Sequence, residues 1–201
     1  FVSYQIDEEN SLGIFTLRSC QNNDVYRETL RNFFTKVKEL SISHVAVDLR
    51  NNGGGNSQVI NEFLRYLDVD GYSIVGGMDV RYGPVLWQFK RRITKNRPFE
   101  DLLFTGRLFA LTSTNTFSSA AMFAVTLLDN NLAEIIGEIP GNMPSSYGDI
   151  LTFQTPNAKL LFTISFKYFD RIDGTKADLP LIPHYEVKAA DAIDKLYEII
   201  E

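Results

Sequence analysis

The stretch Val45-Ala-Val-Asp-Leu-Arg-Asn-Asn-Gly-Gly-Gly-Asn56 decides how the rest of the chain is read. Val45–Val47 is a short apolar run suited to a buried strand, and beyond it Val59, Ile60, Phe63, Leu64 and Leu67 recur at the spacing of one helix face. Three glycines therefore stand at a strand-to-helix turn. Glycine there admits positive φ and close approach to the main chain, while unpaired N–H groups at a helix start favour negative charge. A second run, Thr116-Phe-Ser-Ser-Ala-Ala121, stands at a similar junction. It follows the apolar Leu108–Leu111 and the polar turn Thr112–Thr116, and it opens a helix expected to bury Met122, Val125 and Leu128.

Outward from these two junctions the pattern continues. Tyr4–Ile6 and Gly13–Leu17 read as a hairpin about the polar turn Asp7–Ser11. Asp24 is placed to cap a helix with Leu30, Phe33, Phe34 and Val37 on one face. From Gly71 to Pro98 the signal weakens: Tyr72–Val75 reads as a strand, and Tyr82–Phe89, with Pro84 inside it, as an irregular strand or lid. Ala133–Ile136 reads as a strand, Pro140–Gly148 as a loop, Ile150–Gln154 and Lys159–Ser165 as a hairpin, and Ala189–Ile200 as a terminal helix. The fold class is α/β.

Composition excludes several functions. Among 201 residues the net charge is −5, and only Lys90-Arg-Arg92 forms a basic run, which argues against nucleic acid as a partner. The single cysteine, Cys20, allows no internal disulfide, and no Cys/His set has metal-ligand spacing, so neither a metal nor another cofactor is expected. No apolar run is long enough to span a bilayer. The chain begins at Phe1 rather than Met, so residues 1–201 are expected to be one catalytic domain, the C-terminal part of a longer protein.

Three blocks carry a resemblance: Asp48–Asn56; Thr116–Ala121 through Asp129; and Ile135-Ile-Gly-Glu-Ile-Pro-Gly141 with Pro144-Ser-Ser-Tyr-Gly148 after it. In order and spacing they resemble the C-terminal processing (tail-specific) serine peptidases and their relatives, the tricorn core proteases and the interphotoreceptor retinoid-binding proteins. The resemblance implies a spiral of ββα units, in outline like Clp-type proteases and crotonases, and an extracytoplasmic serine endopeptidase acting on peptide or protein substrates. It also implies that Ser118 is the nucleophile, with the N–H groups of Gly53 or Gly54 and of Ser119 forming the oxyanion hole. Ser118 at a helix start has its own physical logic, because the helix dipole stabilises an alkoxide. A serine before a helix also serves as a plain cap.

The general base is not evident. Where bacterial processing peptidases place a lysine the count reaches Met143, whose thioether cannot accept the serine proton, and the next lysine, Lys159, falls in an expected strand. The tricorn-like branch takes a histidine from upstream of the glycine loop. Here His44 lies at the far end of the strand from that loop, leaving His184 as an alternative base, with Asp178 or Asp173 as the orienting acid. The expectation is a base supplied by an N-terminal region outside this chain. The alternative function is a non-catalytic module of the same fold binding a peptide or an apolar ligand.

Overall fold

The computed structural model describes residues 1–201. In chain order its elements are β1 (Val2–Asp7), β2 (Leu12–Leu17), α1 (Asp24–Glu39), β3 (His44–Asp48), α2 (Gln58–Leu64), β4 (Gly71–Tyr72), β5 (Gly77–Tyr82), β6 (Val85–Lys90), β7 (Thr94–Lys95) and β8 (Arg107–Thr112). There follow α3 (Ser119–Asp129), β9 (Glu134–Gly137), β10 (Ser146–Gln154), β11 (Leu161–Asp170), β12 (Tyr185–Glu186) and α4 (Ala192–Ile200). The main sheet has the order β1-β2-β3-β8-β9-β12, antiparallel only between β1 and β2. Parallel strands covered on both faces carry apolar residues on both. Thus Val45 and Val47 of β3 and Leu108 and Ala110 of β8 enter a large core with α1, α2 and α3, while Ala46, Phe109 and Leu111 pack against Ala192 and Leu196 of α4.

Two helices depart from the expected detail. The cap of α1 is Asn23, whose side chain accepts the Tyr26 N–H, and Asp24 is instead the first helical residue. Helix α3 buries not one face but nearly all round, through Ala120, Ala121, Phe123, Ala124, Val125 and Leu127, while Met122 and Leu128 are only half-buried. The small alanines let α3 lie close to its neighbours, and Phe123 meets Phe63 of α2 edge-on at 5.2 Å between ring centres.

The segment expected to be an irregular lid is a regular hairpin. β5 and β6 pair from Gly77↔Lys90 to Tyr82↔Val85, with Gly83-Pro84 as the turn. They join the hairpin β10–β11, which starts earlier and runs longer than its periodicity showed, in a second sheet ordered β10-β11-β5-β6. This sheet is thinly buried: Gly77 and Val80 are its only buried residues. No helix of the chain is long and apolar enough to cross a membrane.

Candidate active site

Strands β3 and β8 are parallel neighbours, with Asp48 opposite Leu111, so the loops leaving their C-terminal ends emerge side by side. That is the usual ligand-binding edge of such sheets. Here it sets the glycine loop against the start of α3. Phe117 N–H donates to Asn52 O at 2.9 Å, Asn51 N–H to Ser113 Oγ at 3.1 Å, Thr116 Oγ to Leu49 O at 2.9 Å and Ser119 Oγ to Gly55 O at 2.7 Å.

The glycine loop is also held from below. Buried Asp48 accepts from Arg50 Nε at 2.9 Å and from Arg18 Nη2 at 2.8 Å. Burial alone would raise its pKa, but the bonds from these two guanidinium groups outweigh it and hold the carboxyl below the ordinary value. Fully buried Asn52 donates to Leu17 O and accepts the Gly54 N–H at 2.9 Å. Arg50 and Asp48 therefore shape the loop.

Ser118 is exposed, immediately before α3, with φ 51° and ψ −125°. That region suits glycine and strains other residues. Its N–H donates to Asn142 Oδ1 at 2.6 Å, which pins the turn. Gly54, at φ 98°, comes so close that a Cβ there would lie 2.7 Å from Ser118 Cβ and 2.9 Å from Ser119 N. The N–H groups of Gly53, Gly55 and Ser119 have no acceptor within the chain, whereas that of Gly54 is committed to Asn52. The expected pair Gly53 or Gly54 is thus divided, with Gly54 serving the close approach. Ser118, Ser119 and Gly55 border a cavity of about 540 Å³ whose other walls include Asn142, Tyr147 and Lys167.

The model of peptidase family S41 matches residues 11–187. The chain belongs to peptidase family S41. Solved structures with the same fold include a photosystem II D1 C-terminal processing protease, with TM-score 0.68 and 14% identity over 99% of this chain and 52% of that one. Mature CPAF complexed with lactacystin matches with TM-score 0.68 and 14% identity over 94% and 50%. A lipoprotein from Streptococcus agalactiae matches with 0.61 and 16% over 100% and 69%. The S41 chain spans about half the length of the first two. No curated protein sequence matches it.

The other residues singled out in this S41 sequence lie elsewhere. His184 Nδ1 accepts the Ile135 N–H at 3.0 Å, beside β9, and its ring borders cavities that do not include Ser118. Asp173 caps the short 3-10 turn Gly174–Lys176, accepting from Thr175 N–H and hydroxyl, which with Lys176 hold its pKa down at about 2. Asp178 is exposed on the following segment, and neither aspartate borders the Ser118 cavity. Asp129, which carries part of the family resemblance, is instead fully buried in a bidentate pair with Arg171. Met143 is exposed on the loop before β10, and its carbonyl accepts from Asn142.

Sequence reasoning missed Asn52, Asn142, Asp149 and Lys167. Both asparagines sit in motifs already quoted, and a buried amide beside a glycine turn is a fair signal of main-chain bonding. Lys167 had no signal. It comes from β11, where it faces the cavity next to Phe169 and pairs with Asp149 of β10.

Proposed function

We propose that this chain is the catalytic domain of a serine-type endopeptidase, with Ser118 as nucleophile. The observation that carries the reading is the strained, exposed Ser118 at the start of α3, with free N–H groups of Ser119 and Gly55 beside it on one cavity wall. Ser118 Oγ attacks the scissile carbonyl carbon, a base takes its proton, and the resulting oxyanion is held by those N–H groups and by the helix dipole. The acyl-enzyme is then hydrolysed by water. Gly55 takes the place first given to Gly53 or Gly54, since the Gly54 N–H is occupied and Gly53 does not border the cavity.

The base comes from outside these residues. In support, neither histidine borders the cavity and Met143 fills the lysine position. Lys167 is the one amine on the wall, and its Nζ is engaged with Asp149. Family resemblance and the bacterial lipoprotein among the fold relatives favour an extracytoplasmic setting, with peptide or protein substrates and no nucleic acid.

A fluorophosphonate probe applied to the full-length protein tests this, with mass mapping of the adduct. Modification of Ser118, lost in Ser118→Ala together with peptide hydrolysis, is the expected result. Absence of labelling and of hydrolysis would favour a non-catalytic peptide- or apolar-ligand-binding module. The exposed Trp87 and Phe89 of β6, on one face of the second sheet, give that reading a surface.

A further inference from the structure

The two free N–H groups beside Ser118 are not held alike. That of Ser119 belongs to the first residue of α3, whereas that of Gly55 stands in the loop between β3 and α2. Gly54 and Gly55 have φ of 98° and 133°, and a glycine loop left to itself has wide freedom. A donor stabilises a developing oxyanion only if it is aimed beforehand.

A peptide unit is planar and trans, so its C=O and N–H point in opposite directions, and fixing one aims the other. The unit joining Gly54 to Gly55 is fixed through its carbonyl, which accepts the Cys20 N–H at 2.9 Å. Gly55 N–H is thereby turned away from Cys20, and Gly55 borders the Ser118 cavity where Cys20 does not. The units on either side are fixed as well. Gly54 N–H goes to Asn52 Oδ1 at 2.9 Å, and Gly55 O accepts from Ser119 Oγ at 2.7 Å.

Of the two side chains in this set, Asn52 makes the more ties. Its Nδ2 donates to Leu17 O at the end of β2, at 2.9 Å, and its Oδ1 also accepts from Cys20 Sγ at 3.7 Å. It is fully buried and does not border the cavity. A side-chain amide offers an acceptor and a donor together. Here the acceptor takes the Gly54 N–H and the donor fastens that acceptor to β2. Without it the Gly54 N–H would turn to find another partner, and the next peptide unit would turn with it.

We propose that Asn52 is a positioning residue for the oxyanion hole: it touches no substrate, and it holds the glycine loop in the arrangement that directs Gly55 N–H into the Ser118 cavity. The inference rests on the reading of Ser118 as nucleophile. Because the hole meets only the reacting oxygen, the effect of Asn52 falls on the chemical step and leaves recognition of the substrate's side chains alone.

The full-length protein and its Asn52→Leu and Asn52→Asp variants are treated with a tetra-alanyl diphenyl phosphonate, and the saturation kinetics are separated into probe affinity and maximal rate. In this step Ser118 Oγ bonds to phosphorus, phenoxide leaves and the serine proton passes to the base, while the phosphoryl oxygen occupies the hole. Asn52→Leu should lower the maximal rate by about a hundredfold or more, with probe affinity little changed. Asn52→Asp keeps the shape: unionised, its carboxyl accepts from Gly54 and donates to Leu17 O as the amide does, whereas ionised it only accepts. Its maximal rate relative to the wild type should therefore rise as the buffer is taken from about pH 8 to about pH 5. The Cys20 thiol, bonded to the same oxygen and pushed up to about 12, stays protonated throughout. A folded Asn52→Leu protein that reacts at the wild-type rate, or that loses affinity and rate together, would overturn the proposal. If Asn52→Leu does not fold, the Asn52→Asp ratio decides, and a ratio that is flat with pH overturns it. No modification of Ser118 in the wild type would remove the nucleophile reading and the positioning role with it.

Discussion

Ser118 shows how one backbone angle marks a residue that a cap would not need. Its φ of 51° with ψ −125° lies where glycine is favoured, so the serine holds strain of about 1–3 kcal/mol. Glycine ordinarily makes the unfolded chain more flexible and is the less stable choice. At this position the order should reverse, with Ser118→Gly melting at or above Ser118→Ala and both failing to react with the fluorophosphonate. Gly54→Val should do the opposite. Its Cβ would press on Ser118 Cβ and on Phe117 O, at 2.7 and 2.9 Å, from a φ that valine does not tolerate. Turnover should fall by about a hundredfold or more, and the melting temperature should drop as well. Cys20 supplies a pH prediction. Burial pushes its thiol up to about 12, so the folded form stays protonated while the unfolded thiol ionises from about pH 8.5. Its contribution to stability is whole below that pH and is lost as pH rises toward 12, and iodoacetamide at pH 8 should leave the native thiol unmodified. Asp48 works at the other limit. Its lowered carboxyl stabilises the fold above about pH 4, and that support fades as pH falls further, visible as loss of urea resistance in acid.

Among the elements, the joint between α3 and β11 depends on one buried pair. Arg171, just beyond β11, holds Asp129 at the end of α3 through two bonds of 2.9 and 3.0 Å, and its remaining donors reach the carbonyls of Leu179 and Pro180 at 3.1 and 3.2 Å. Arg171→Met would strand a carboxylate with no exposure, at a cost of about 3–5 kcal/mol, while Arg171→Met with Asp129→Leu should recover most of the loss. Chemical denaturation of the three proteins decides it. The sequence pattern had read α1, α3 and the hairpin β10–β11 correctly as elements, because each has apolar spacing or a turn to announce it. It missed the regularity of β5–β6 for a physical reason. Val85–Lys90 is exposed along its whole length, so no burial contrast imposed an alternation that periodicity could detect.

The molecule as a whole divides into a deeply buried parallel sheet with its helices and a thinly buried sheet of β5, β6, β10 and β11. Local opening follows burial, so amides of β3 and β8 should exchange only through near-global unfolding, and those of β6 and the distal part of β10 orders of magnitude sooner. Native-state hydrogen exchange measures both. Uniform protection across the two sheets would mean that the second sheet is covered in solution.

The local chemistry was legible in the 201 residues: a strand, a glycine turn, a helix start with serine, and a set of spacings that place the chain in its family. These are properties of neighbours along the chain, and periodicity and backbone freedom report them directly. Which N–H groups remain free was not legible, because Asn52 and Asn142 decide that by bonding Gly54 and Ser118, one across two residues and the other across twenty-four. Nor was the company Ser118 keeps. His184 and Asp173 follow it in sequence yet border other cavities, while Lys167 and the edge of β10 reach its cavity because the second sheet folds over the C-terminal ends of β3 and β8. Spacing along a chain sets what each residue is able to do, whereas strand order and sheet edges set what it meets.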